Sequence, residues 1–135
     1  MTPGARSILY WIMTGLVAFF IGGGGLSQIA QYWGNPHGVV PLLGYPMYFF
    51  AILGFWKFLG ALAILAPRFP LLKEWAYAGI FFDLTGAALS CAAVGGYGAY
   101  GFHVLAPLII TGFTLASWAL RPPSRTLAVR PAKIA

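Results

Sequence analysis

Apolar residues gather into four long blocks, roughly residues 8–29, 47–66, 71–94 and 104–120, separated by breaks rich in turn-forming and polar positions. Each block is close to the roughly 20 residues that cross about 30 Å of hydrocarbon at 1.5 Å per residue. The last block is the shortest. In lipid, backbone N–H and C=O groups must be satisfied within the segment, so the blocks predict helices rather than strands. "GNPHG", Gly34 to Gly38, ends the first block, and "PRFP", Pro67 to Pro70, makes a tight turn between the second and third. Pro70 suits a first helical turn, where its missing N–H costs nothing. Short connections make successive helices antiparallel. The expected fold is all-α: a transmembrane four-helix bundle, up-down-up-down. A short N-terminus (1–7) precedes the helical domain (8–120), and a basic tail (121–135) follows it. The long connection 31–46 carries many aromatic and polar side chains and is expected to fold over its end of the bundle.

Composition agrees with a lipid solvent. Only 7% of the residues are charged and 60% are hydrophobic, against about 25% charged in an average globular chain. The first block exceeds the roughly 7–15 residues of a signal-peptide core and no Ala-x-Ala site follows it, so it is expected to be retained as a membrane helix.

The net charge of +6 does not indicate nucleic acid, because the cations are placed by side of the bundle. Arg6, Arg68, Lys73, Arg121, Arg125, Arg130 and Lys133 all fall at one end, while the stretches 31–46 and 95–103 contain no lysine or arginine. By the positive-inside rule both termini are expected in the cytoplasm, in a multi-pass protein of the bacterial inner membrane. The tail is expected to touch anionic headgroups. A single cysteine, Cys91, excludes an intramolecular disulfide and a Cys-x-x-Cys redox pair.

One cation breaks the pattern. Lys57 sits inside "GFWKFLG", in the middle of the second block. Helical spacing puts it on one face with Gly54, Gly60, Ala61 and Ile64, and puts Asp83 on a face of the third block with Ala76, Gly79, Gly86, Ala87 and Ser90. Both faces read as small-residue seams suited to close helix packing, with Gly54, Gly60, Gly79 and Gly86 as the packing glycines. Counting from the tight turn, Lys57 lies about 13 Å deep and Asp83 about 18 Å, a difference of about 5 Å that a lysine side chain can span. An unpaired charge at such depth costs roughly 2.5–3.5 kcal/mol on insertion scales. The two are therefore expected to meet as an intramembrane polar centre. Its role is either structural, fixing helix register, or functional, as a protonatable or ligand-contacting pair; the alternative to a contact is a Lys57 that is neutral or rotated toward water.

Glu74 precedes Asp83 by nine residues, which at about 100° per residue puts it on the opposite side of the helix. It is expected to be an inner-interface carboxylate near a helix start, favoured there by the dipole and neutralised by Arg68, Lys73 or Arg121, with a place in the cavity as the alternative. At the other end of the bundle, Gln28, Trp33, His37, Tyr97 and His103 form either an interfacial aromatic belt or a mouth contacting a flat lipophilic ligand such as a quinone head. No tight His/Cys spacing supports a metal. No nucleotide loop, hydrolase triad or carboxylate dyad appears, so the sequence itself names no enzyme.

The stretch "GYPMYFFAILGFWKFLGALAILAPRFPLLKEWAYAGIFFDLTGAA", Gly44 to Ala88, resembles the DoxX-like family of small bacterial membrane proteins. "PRFPLLKEWAYAG" is its most specific part, and "ALRPPSR" after the fourth block also fits. The resemblance covers most of residues 8–125 and implies a four-helix membrane bundle with Lys57, Glu74 and Asp83 inside the matching segment. It further implies an accessory subunit of a membrane redox system, since the wider family is named for a membrane subunit of a thiosulfate:quinone oxidoreductase. Quinone is the cofactor so implied. The alternatives from other classes are a scaffold that docks other membrane helices or copies of itself, and a binder or carrier of a small lipophilic molecule.

Overall fold

A computed structural model describes residues 2–41, 43–95 and 101–126. The chain forms α1 (Pro3–Gly34), α2 (Met47–Leu65), α3 (Pro70–Ala93) and α4 (Gly101–Ala119). All four are long and apolar enough to cross a membrane. A short 3₁₀ turn, Pro123–Arg125, follows α4, and no strand occurs among the described residues beyond an isolated bridge between Val39 and Pro46.

With 32 residues, α1 is much longer than the apolar block that marks it. At about 48 Å it outruns the hydrocarbon thickness. Apolar blocks record the immersed part of a helix, whereas its ends are set by caps. Thr2 accepts from the Ala5 N–H at 3.2 Å with Pro3 next to it, and the Asn35 N–H still reaches the Gln31 carbonyl at 3.1 Å.

The helices form a ring in which each touches its two neighbours. The tightest contact joins α1 to α2, and it is made by glycine. A Cβ on Gly25 would collide with the Gly54 carbonyl and lie 3.0 Å from the Lys57 Cβ, and one on Gly54 would lie 2.9 Å from the Gln28 Cβ. A Cβ on Gly22 would lie 3.3 Å from that of Ala61. Helices in lipid gain little from burying more hydrocarbon, so close backbone approach at small residues is what draws this pair together. Inside the ring, Val17, Ile21, Ala61, Ile64, Tyr77, Ile80 and Leu84 form the apolar core.

The start of α1, the α2–α3 turn and the end of α4 lie together at one end, here the termini face. The Arg6 guanidinium donates to the Ala119 carbonyl at 3.2 Å. The turn itself is strained: Arg68 (φ 68°) and Phe69 (φ 56°) both occupy the left-handed region, which costs about 1–2 kcal/mol per non-glycine residue. Cations hold it. The fully buried Lys73 donates to the carbonyls of Ala66 and, at 2.6 Å, Arg68, and Arg125 donates to those of Ile64 and Ala66, both at 3.3 Å. The last carbonyls of α2 have no partner within their own helix, and positive charge there also complements the dipole.

At the opposite end, the connection between α1 and α2 folds back on itself. The Val40 N–H pairs with the Tyr45 carbonyl at 2.8 Å, Val40 and Met47 are buried, and the Tyr45 hydroxyl lies 3.1 Å from Ser90 Oγ on α3. The expected folding-over of this connection is what the chain adopts.

The glycine contact makes a sharp prediction. Gly25→Ala should destabilise the bundle by about 1–3 kcal/mol, because its methyl meets backbone that cannot yield. Gly23→Ala, two residues away and facing open space, should be neutral or slightly stabilising, alanine being the better helix former. Unfolding of both variants in the same detergent compares them directly; equal losses would contradict the packing.

Candidate functional site: a groove between α2 and α3

Of the neighbouring pairs in the ring, α2 and α3 touch least. Between them runs a groove of about 740 Å³, from Ala66, Phe69 and Leu72 near the termini face up to Leu53, Lys57 and Asp83. Trp56, Phe69 and Trp75 line it and are themselves largely exposed, so it opens sideways, away from the bundle axis. Its floor includes Gly60, Ala63, Ala76, Gly79 and Ile80. A groove of this volume falls in the range of small-molecule sites, about 300–1,000 Å³.

Lys57 and Asp83 are the charged side chains of the lining. Lys57 Nζ lies 3.3 Å from Asp83 Oδ2, and each side chain retains about a sixth of its exposure (16% and 17%). The helical register explains the meeting: the two residues come from antiparallel helices at nearly matched depth, and the lysine arm covers the difference. Asp83 Oδ2 is buried, yet among the described residues no group donates a hydrogen bond to it, so its approach to Lys57 is an ion contact without hydrogen-bond geometry.

The seam expected between α2 and α3 divides in two. Gly54 packs on α1, not on α3, because it crosses Gly25. Gly60 faces α3 across a looser gap, with a Cβ there 3.6 Å from Ile80. Among the described residues neither Gly79 nor Gly86 packs closely on a neighbour, since a Cβ on either would meet nothing within 4 Å. On α3 the buried stripe is Lys73, Tyr77, Ile80, Leu84, Ala88 and Cys91, one step round the helix from the small residues. Of those small residues Ala76 and Gly79 line the groove instead, and their lack of side chains is part of what leaves it open.

Glu74 lies away from the groove and faces α4. It accepts from the Arg121 guanidinium and, at 3.0 Å, from Trp118 Nε1. Arg121 is itself buried, lying over the Tyr77 ring at 5.1 Å and the Trp118 ring at 5.7 Å. Beneath this pair is a buried hydroxyl network that the sequence reading did not single out. Ser117 Oγ lies 2.7 Å from both Thr14 Oγ1 and the Tyr77 hydroxyl, joining α1, α3 and α4. The signal for it was present in α4, where Thr111, Thr114, Ser117 and Arg121 recur at helical spacing.

The residues proposed for the other mouth are not brought to the groove. Gln28 is half-buried in the α1–α2 contact, and its buried Oε1 meets no hydrogen-bond donor among the described residues. Trp33, His37 and His103 are exposed, and Tyr97 lies outside the described residues. Among the described residues no three His, Cys, Asp or Glu side chains gather as a metal site would require.

Lys57→Met leaves a carboxylate without its partner in an apolar groove and should destabilise the bundle by about 3–5 kcal/mol, with Asp83→Leu comparably costly. The double variant Lys57→Met/Asp83→Leu should recover most of that loss. Chemical or thermal unfolding in detergent reads the cycle, and additive losses would mean that the two side chains are not coupled.

The model of the DoxX-like family matches residues 12–117. No curated protein and no solved structure matches the chain. The matched span runs from the first turns of α1 nearly to the end of α4 and takes in the whole α2–α3 groove. On this match and its four membrane-length helices, this small integral membrane protein belongs to the DoxX-like family.

Proposed function

We propose that the protein is an accessory subunit of a membrane redox system in the bacterial inner membrane and that it holds a quinone-type molecule in the groove between α2 and α3. One observation carries the binding half of this reading. The groove opens sideways, is apolar along its length, and has a charged pair at the end farther from the termini face. A lipophilic molecule with a polar head fits that gradient: its tail lies along Trp56, Leu62 and Leu72, and its head approaches Lys57 and Asp83. The redox half rests on the family resemblance.

The same groove favours a second reading, a binder or carrier of some other small lipophilic molecule. Purification from native membranes in mild detergent, followed by solvent extraction and mass spectrometry, separates the two. On the leading reading quinone co-purifies in near-stoichiometric amount. Gly79→Leu, which adds a side chain at a groove-lining position with open space around its Cβ, should fold normally and lose it. A different lipophile lost on the same substitution would support the second reading. Quinone retained at full occupancy by Gly79→Leu would place the site elsewhere.

A further inference from the structure

We infer that the groove selects its ligand by head charge and takes a single-chain amphiphile whose uncharged head both donates and accepts a hydrogen bond, a hydroxyl being the simplest. This rests on the groove reading above and specifies its chemistry. The polar end of the groove is a balanced pair: one ammonium and one carboxylate 3.3 Å apart. A carboxylate head would be drawn to Lys57 but repelled by Asp83 at nearly the same distance, and a quaternary ammonium head would meet the reverse. Either would leave its hydration behind with no net countercharge to replace it. Arg68, the exposed cation on the strained turn, lies at the opposite end of the groove and cannot serve a head held at Lys57.

A neutral hydroxyl avoids that penalty, and the pair has the capacity to receive it. An ammonium carries three donors, and among the described residues Asp83 is its sole charged partner, met without hydrogen-bond geometry. Of the two Asp83 carboxylate oxygens only Oδ2 is both buried and unpartnered among the described residues, which leaves Oδ1 as the oxygen a ligand meets. A hydroxyl at the head of the groove therefore accepts from Lys57 and donates to Asp83 Oδ1. A carbonyl can only accept, so within a quinone couple the hydroxyl-bearing reduced form is the better fit.

Photo-labelling of the full chain in phosphatidylcholine nanodiscs tests this. The probes are four diazirine-bearing molecules of equal chain length: an alcohol, a carboxylic acid, a trimethylammonium and an unsubstituted alkane. Labelled residues are located by mass spectrometry. The alcohol should label groove residues such as Trp56, Ala63 and Trp75 at least about five-fold more than the other three, the effect of roughly one net hydrogen bond. Gly79→Leu and, independently, the double variant Lys57→Met/Asp83→Leu should bring the alcohol down to the level of the alkane. If the acid or the ammonium labels the groove as strongly as the alcohol, and Gly79→Leu still abolishes that labelling, head selection is wrong and the groove reading survives. If no probe labels the groove above the rest of the lipid-facing surface, both fail.

Discussion

The backbone crossing of α1 and α2 at Gly25 and Gly54 is the constraint from which the remaining geometry follows. With no side chain on either residue, carbonyl and Cα surfaces meet directly, and α2 is drawn hard against α1. A helix committed so closely to one neighbour stands off from the other. The space left on the far side of α2 is the groove, and Lys57 and Asp83 reach across it at the level where the helices still come within a side chain's length. Close packing at one interface and an open slot at the next are two aspects of one arrangement.

The chain has only two acidic residues, and both are on α3. Asp83 ties that helix to Lys57 of α2, and Glu74 ties it to Arg121 beyond α4. The two lie on opposite sides of the helix, as their nine-residue separation requires. The α3 helix is thereby held from both flanks by charge, while its apolar stripe and the Tyr77 hydroxyl face the ring interior. At the termini face the cations serve a different purpose. Lys73 and Arg125 are spent on the carbonyls that end α2 and on a turn whose left-handed residues would otherwise have little to hold them.

Much of this was legible in the sequence because lipid permits few solutions. Four apolar blocks allow four helices, the positions of the cations fix which ends lie together, and two opposite charges at like depth can be matched by counting residues. Helix ends were less legible, since hydropathy reports immersion and not hydrogen bonding; α1 shows the difference most clearly. The partner of each glycine was not legible at all. Gly54, Gly79 and Gly86 look alike along the chain, yet one touches backbone and the other two face open space, because rotation of a helix by a single residue exchanges a packed interface for an open face. The hydroxyl network of Thr14, Tyr77 and Ser117 escaped notice for a related reason: three ordinary polar residues become a site only when three helices bring them to one point.

The sideways opening of the groove has a consequence for how its occupancy is governed. A slot that faces hydrocarbon is filled from the plane of the membrane, so the quantity that matters is the mole fraction of a compound among the surrounding lipids and not its solubility in water. A sparingly soluble molecule that partitions strongly can saturate such a slot at modest intrinsic affinity. The annular lipids themselves are its standing competitors.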